Sequence, residues 1–238
     1  MSFLLIAFLL GLLLLIHELG HFLAARWMGI PVARFSIGLG PKLWGFRRGE
    51  TEFWLAAIPF GGYVLPAVDD EHEYFRIPVG RRIILALGGP LANFLLPLPL
   101  FAILNVLSGD VSPYGILVAP WVQTFSTIGQ LLAAIPLLFS RPDAITGVVG
   151  IVVEGERFVG LDLGNGIFFS ILMSLNLGVF NLLPIPALDG GKILLHLAEA
   201  LHPRAARRIY VPLSLFGWLV IIGLVLYVTM IDIGRYAV

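Results

Sequence analysis

The chain contains no cysteine, which excludes disulfide frameworks, thiolate nucleophiles, iron–sulfur clusters and cysteine-based zinc sites. Charge is scarce too: Asp, Glu, Lys and Arg make up 13% of 238 residues, against about 25% in an ordinary soluble domain. An excess of either sign is also missing. Fifteen basic residues balance fifteen acidic ones, so there is no basic field to attract nucleic acid and no acidic surplus to form a solvating tail. Repeats of 20 to 50 residues, low-complexity tracts and Gly/Ser linkers do not occur, and one domain over 1–238 is expected. What the chain has instead is apolar residues, 58% of the total against roughly 45 to 50% in soluble domains. This is the composition of a membrane protein, and any metal in it must be held by His, Asp or Glu.

A bilayer core requires about 20 apolar residues in helical form, and five stretches reach that length: 2–25, 83–107, 116–140, 163–188 and 209–231. The first could be taken for a signal peptide, but it lacks a positive n-region and its hydrophobicity runs on to Ala25, so it reads as a retained span. The third is interrupted by Gln123, Thr124, Ser126, Thr127, Gly129, Gln130 and Pro136. Lys and Arg accumulate in cytoplasmic loops. Eight lie between the first two stretches: Arg26, Arg34, Lys42, Arg47, Arg48, Arg76, Arg81 and Arg82. Four more, Lys192, Arg204, Arg207 and Arg208, lie between the fourth and fifth. Both loops share the cytoplasmic side only if an even number of crossings separates them. The stretch 116–140 is therefore expected not to span but to lie at the outer interface or re-enter. Four spans then remain, with both termini outside.

Between the first two spans, Arg34–Leu39 and Glu52–Ile58 alternate and are rich in aromatic and branched residues, with Arg47–Glu50 as a turn region, so a β-hairpin over about 34–64 is expected. The fold class is thus an all-α polytopic membrane protein with about four transmembrane helices, a β-hairpin or sheet between the first two, and one extra non-spanning apolar segment.

The chemistry is concentrated in His17-Glu18-Leu19-Gly20-His21. Helical residues four apart share a face, so both imidazoles can point at one ion while Glu18 reaches a water on it. The bland alternative is an interior polar patch, but ionisable groups within a span are costly and usually mark function. A catalytic zinc site has three protein ligands and an open position. His72, His196 and His202 lie in polar or loop-like segments. Asp189 is the best third candidate, at the end of Asn181-Leu-Leu-Pro-Ile-Pro-Ala-Leu-Asp-Gly-Gly191, where Pro184 and Pro186 must break the helix and free backbone groups tolerated only around a cavity. Taken alone, Asp-Gly-Gly reads as a turn or helix cap. Depth favours the ligand: His17 and His21 lie about 22 to 28 Å into a core roughly 30 Å thick, and with four spans Asp189 arrives at the same side. A metal transporter, or another membrane metal-binding protein without proteolytic activity, is the alternative. It would need an ion path, yet 83–107 and 209–231 offer only Asn93, Asn105, Ser214 and Thr229. A histidine-box oxygenase would need more clustered histidines.

These motifs, with Pro59-Phe-Gly-Gly-Tyr-Val64 and Gly89-Pro-Leu-Ala-Asn-Phe94 between them, resemble the site-2 protease family of intramembrane zinc metalloproteases, and within it the regulator-of-sigma-E group. The resemblance implies Zn2+ held by His17, His21 and Asp189, with Glu18 as catalytic acid/base and Asn181 holding the substrate backbone. It also implies a membrane-re-entrant hairpin whose edge meets an unwound substrate, for which Glu52–Ile58 is the expected strand. The implied partners are the lipid bilayer and a membrane protein with a transmembrane helix. The implied location is a bacterial inner membrane, with the active site toward the cytoplasm. One departure is expected: 108–162 is too short and too apolar for the PDZ domains usual in that group.

Overall fold

The fold is described from a computed structural model, in which residues 2–140 and 146–236 are described; Arg141 lies outside them. The elements in order are α1 (Ser2–Trp27), β1 (Val32–Arg48), β2 (Thr51–Pro66), α2 (Glu71–Tyr74), α3 (Val79–Leu95) and α4 (Pro97–Leu107). They continue with α5 (Pro113–Leu117), α6 (Ala119–Ser140), α7 (Val148–Val159), α8 (Leu163–Asn181), α9 (Asp189–Leu201) and α10 (Pro203–Tyr236). The chain is mostly helical with one small antiparallel sheet. Among the described residues four helical stretches are long and apolar enough to cross a membrane: Phe3–Trp27, Val79–Leu107, Leu163–Asn181 and Pro203–Tyr236.

Their ends differ from the expected ones for local reasons. The second starts earlier and is divided into α3 and α4, with a proline in the first turn of α4, where its missing N–H costs nothing. Helix α8 stops at Asn181 rather than 188, because Pro184 and Pro186 cannot continue the ladder. The apolar stretch 116–140 forms the end of α5 and all of α6, which carries Pro136. Where a PDZ domain would stand, the described residues form α5, α6 and α7.

The chain divides into two compact units. One comprises Met1–Leu10, Phe94–Phe180 and Trp218–Val238. Its core packs Ile6 with Val152, Val159 and Phe169, and Phe101 with Ile171 and Leu175. Asp232, fully buried on α10, accepts the Gly150 N–H at 2.8 Å. It thereby satisfies a first-turn donor of α7 that has no partner inside its own helix. On the same stretch of α10, Trp218, Leu219, Leu226 and Met230 are exposed, a surface suited to hydrocarbon rather than water.

The other unit comprises Gly11–Asn93 and Asn181–Gly217. β1 and β2 pair as an antiparallel hairpin closed by Gly49–Glu50, Arg48 standing opposite Thr51. Both strands are bent, with Gly38, Gly40 and Gly61 at φ near +90°, a backbone region glycine enters without steric cost. The first half of β1 consequently lies between the two halves of β2. Arg34–Ile37 pairs with Gly62–Leu65 on one side and with Glu52–Leu55 on the other, and Glu52–Leu55 also pairs with Trp44–Arg47. Over Glu52–Leu55 this corrects the substrate-facing edge expected at Glu52–Ile58, while Ala56 and Ile58 each have a single strand partner. Glu52–Leu55 has neighbours on both sides and has no free ladder to offer, whereas Gly62–Leu65 has one neighbour. Helix α1 is seated on this sheet through Phe22, whose ring lies 5.4 Å from Phe35 and 5.7 Å from Phe53. It crosses α3 at Gly20 and Gly88, where a Cβ on Gly88 would stand 2.5 Å from the Gly20 carbonyl oxygen. That small-residue contact lets the two backbones touch and brings Leu85, Gly89 and Asn93 of α3 up to the histidines.

Candidate metal centre

His17 and His21 project from one face of α1, their Nε2 atoms 3.2 Å apart. Asp189 Oδ2 lies 3.1 Å from each. All three side chains are nearly enclosed, and the group is of the kind that could hold a metal ion. Zinc bonds of about 2.0 to 2.1 Å to a tetrahedral set would separate the donors by roughly 3.3 Å, so the triangle already has the right edge length. Three lone-pair donors this close and buried repel one another unless they share a cation.

The imidazole tautomers fit the same use. His21 Nδ1 lies 2.8 Å from the Leu85 carbonyl oxygen, which can only accept, so Nδ1 carries the proton and Nε2 presents its lone pair inward. The Gly89 N–H also approaches that nitrogen, at 3.3 Å, but the shorter contact decides. His17 Nδ1 lies 3.3 Å from Nδ2 of the buried Asn93 amide; turned over by 180°, that amide would bring its oxygen to the ring, accept Nδ1–H and leave Nε2 free for the cluster. Gly89 completes the floor: a Cβ there would stand 2.5 Å from His21 Nε2 and 2.6 Å from His17 Nε2. The absent side chain leaves the space an ion needs.

Asp189 is the first residue of α9, where the helix dipole favours a carboxylate. The chain before it, Leu182–Leu188, folds back over the helix start. The Leu182 and Ile185 carbonyls press on Gly190 and Gly191, where any side chain would collide. The Asp-Gly-Gly sequence is thus both a helix start and a means of bringing the carboxylate in. Burial pushes the Asp189 carboxyl upward, but the two imidazoles beside it and the Lys192 charge outweigh that and hold the group well below the ordinary carboxylate range. Lys192 Nζ lies 3.0 Å from Asp189 Oδ1.

Glu18 faces the sheet. Gly62, on the single-neighbour segment of β2, stands so close that a Cβ would be 2.8 Å from Glu18 Cγ. Of the residues singled out in the sequence, His17, His21 and Asp189 converge with Glu18 alongside. Asn181 is the last residue of α8 and is not one of the converging donors. The remaining histidines stand apart: His72 and His202 are exposed. His196, expected in a loop-like segment, is instead buried in α9. There it contacts Arg82 at 3.0 Å and Tyr74 at 3.2 Å and stacks on Tyr210. Leu85, Gly89, Asn93 and Lys192 also belong to the centre, and sequence reasoning misses them. The visible signals were an amide and a glycine pair within an apolar span, and a lysine one turn beyond the aspartate.

The sequence pattern of peptidase family M50 matches residues 5–225. A Clostridium perfringens protein named as a candidate zinc metalloprotease is 26% identical over 319 aligned positions, covering 93% of this chain and 95% of that protein. A Rhizobium meliloti protein with the same kind of name is 31% identical over 175 residues, 65% of this chain and 41% of its own length. Metalloprotease MmpA of Caulobacter vibrioides is 33% identical over 158 residues, 54% of this chain and 37% of that protein. Thus the chain spans well under half of the Rhizobium and Caulobacter relatives and nearly all of the Clostridium one. With its pattern matched over most of its length, the chain belongs to peptidase family M50, the site-2 protease family.

Proposed function

We propose that this chain is an intramembrane zinc metalloprotease that hydrolyses peptide bonds in or near the transmembrane segment of membrane-protein substrates. The observation that carries this reading is the convergence of His17 Nε2, His21 Nε2 and Asp189 Oδ2 at 3.1 to 3.2 Å, with a carboxylate beside them that is not one of the three. These residues would hold zinc, which supplies a Lewis acid for the scissile carbonyl and lowers the pKa of water to about 7. Glu18 accepts the proton of the attacking water on its carboxylate and passes it to the leaving amine. A helical substrate must unwind locally, because its carbonyls are engaged in the i to i−4 ladder. The unwound strand adds to Gly62–Leu65, the segment with one neighbour that also abuts Glu18, and Asn181 helps hold the substrate backbone. Asn93 and the Leu85 carbonyl fix the orientation of the His17 and His21 rings through their Nδ1 atoms.

The four apolar helices then cross the membrane with both termini outside, and the re-entrant hairpin and the metal centre lie toward the cytoplasm of a bacterial inner membrane. Parity supports this: were α6 to cross as well, Asp189 would emerge opposite His17 and His21, tens of Å away. Single substitutions Arg48→Cys and Arg207→Cys should label from the cytoplasmic side, Asp110→Cys and Glu154→Cys from outside, and Asp189→Ala should lose metal. Labelling of Asp110→Cys and Glu154→Cys on opposite faces, or zinc retained at wild-type stoichiometry in Asp189→Ala, would overturn the arrangement.

A further inference from the structure

Asp189 offers two oxygens, and they are not equivalent. Oδ2 is 3.1 Å from both histidine nitrogens, while Oδ1 is 3.0 Å from Lys192 Nζ. The lysine lies on the same helix, one turn on, with its side chain 42% exposed while that of Asp189 is 5% exposed. The ammonium thus sits on the oxygen that does not meet the histidines. Nothing in the hydrolytic scheme uses it.

We propose that Lys192 is a positioning residue that keeps Asp189 a one-oxygen ligand and a weak donor. An ammonium on Oδ1 holds that oxygen out of the coordination sphere. It also draws charge from the carboxylate, so less of it reaches the ion and the ion remains a stronger Lewis acid. The cost is affinity. A cation three ångströms from a ligating carboxylate competes with a metal for the same negative charge. Lys192 therefore trades tight binding for electrophilicity, and its removal should move affinity and turnover in opposite directions. This inference rests on His17, His21 and Asp189 being the ligands.

The test uses the purified full chain in detergent, stripped of metal, as wild type, Lys192→Met and Lys192→Arg. Each is titrated with Zn2+ against a chromogenic chelator and with Co2+ followed by its visible absorption, and cleavage of a single-span substrate is measured alongside. Lys192→Met should bind Zn2+ about tenfold more tightly, give a weaker Co2+ band because Oδ1 joins the ion, and cleave about tenfold more slowly. Lys192→Arg, which keeps the charge and a donor, should stay near wild type in all three. Unchanged affinity and band in Lys192→Met would overturn the inference. So would affinity and cleavage falling together, which is what loss of mere structural support gives. If the wild type takes up neither metal, the ligand assignment itself fails, and the inference with it.

Discussion

Gly89→Ala probes the geometry of the centre with a single methyl group. Its Cβ would stand 2.5 Å from His21 Nε2 and 2.6 Å from His17 Nε2, where ordinary contact begins at about 3.5 Å. The rings would have to retreat by about 0.9 to 1.0 Å, several times the tolerance of roughly 0.2 Å on a zinc–ligand distance. Neither ring is free to do so, since Leu85 and Asn93 hold their far nitrogens. Zinc affinity should therefore fall at least about 100-fold. The helix itself should not suffer, because alanine is favoured over glycine in a helix interior by about 1 kcal/mol. Gly80→Ala is the matched control, on the same helix with nothing within 4 Å of its Cβ position, and should bind zinc as wild type does. Chelator competition on both variants, with circular dichroism to verify helicity, reads the difference. A zinc Kd for Gly89→Ala within threefold of wild type would refute the placement of an ion against this glycine.

Two further predictions concern the buried charges that tie α3 to α9. Arg82 contacts Glu199 at 2.7 Å, both almost fully buried, and Glu199 also takes Arg207 at 2.8 Å. Arg82→Met should destabilise the fold by about 3 to 5 kcal/mol by stranding Glu199, and Arg82→Met with Glu199→Leu should recover much of it. A thermal midpoint for the single variant equal to wild type would refute the pair's role. His196 is pushed down to about 4 by its burial and by the Arg82 charge. A histidine with a depressed folded pKa adds stability that is full above pH 6.5 and is lost as pH falls through 4, here about 3 kcal/mol. The acid-side decline in melting temperature should flatten in His196→Gln, and an unchanged profile would contradict the assignment.

Much of the centre was legible in the sequence because it is local. His17, Glu18 and His21 are set by the period of one helix, and the position of Asp189 followed from the two prolines before it and from parity. The four apolar helices were legible from length and composition, since a hydrocarbon core demands both. What was not legible depends on how elements cross. A period-two pattern identifies Glu52–Ile58 as strand but says nothing of its neighbours, and the glycine bends at 38, 40 and 61 place Glu52–Leu55 inside the sheet. His196 reads as one polar residue among others, and only the packing of α9 against Arg82 and Tyr74 buries it. Asn93 and Gly89 acquire their place from the close crossing at Gly20 and Gly88, a contact between residues 68 positions apart that no local pattern encodes.

The central claim, proteolysis by a metal-held water with Glu18 as proton carrier, is tested most directly by measuring zinc content and cleavage together. Wild type and Glu18→Gln should be purified in parallel and given a single-span membrane substrate. The account predicts about one zinc per chain in both and cleavage by wild type alone. Glu18→Gln cleaving at the wild-type rate, or a wild type that cleaves without bound metal, would contradict it.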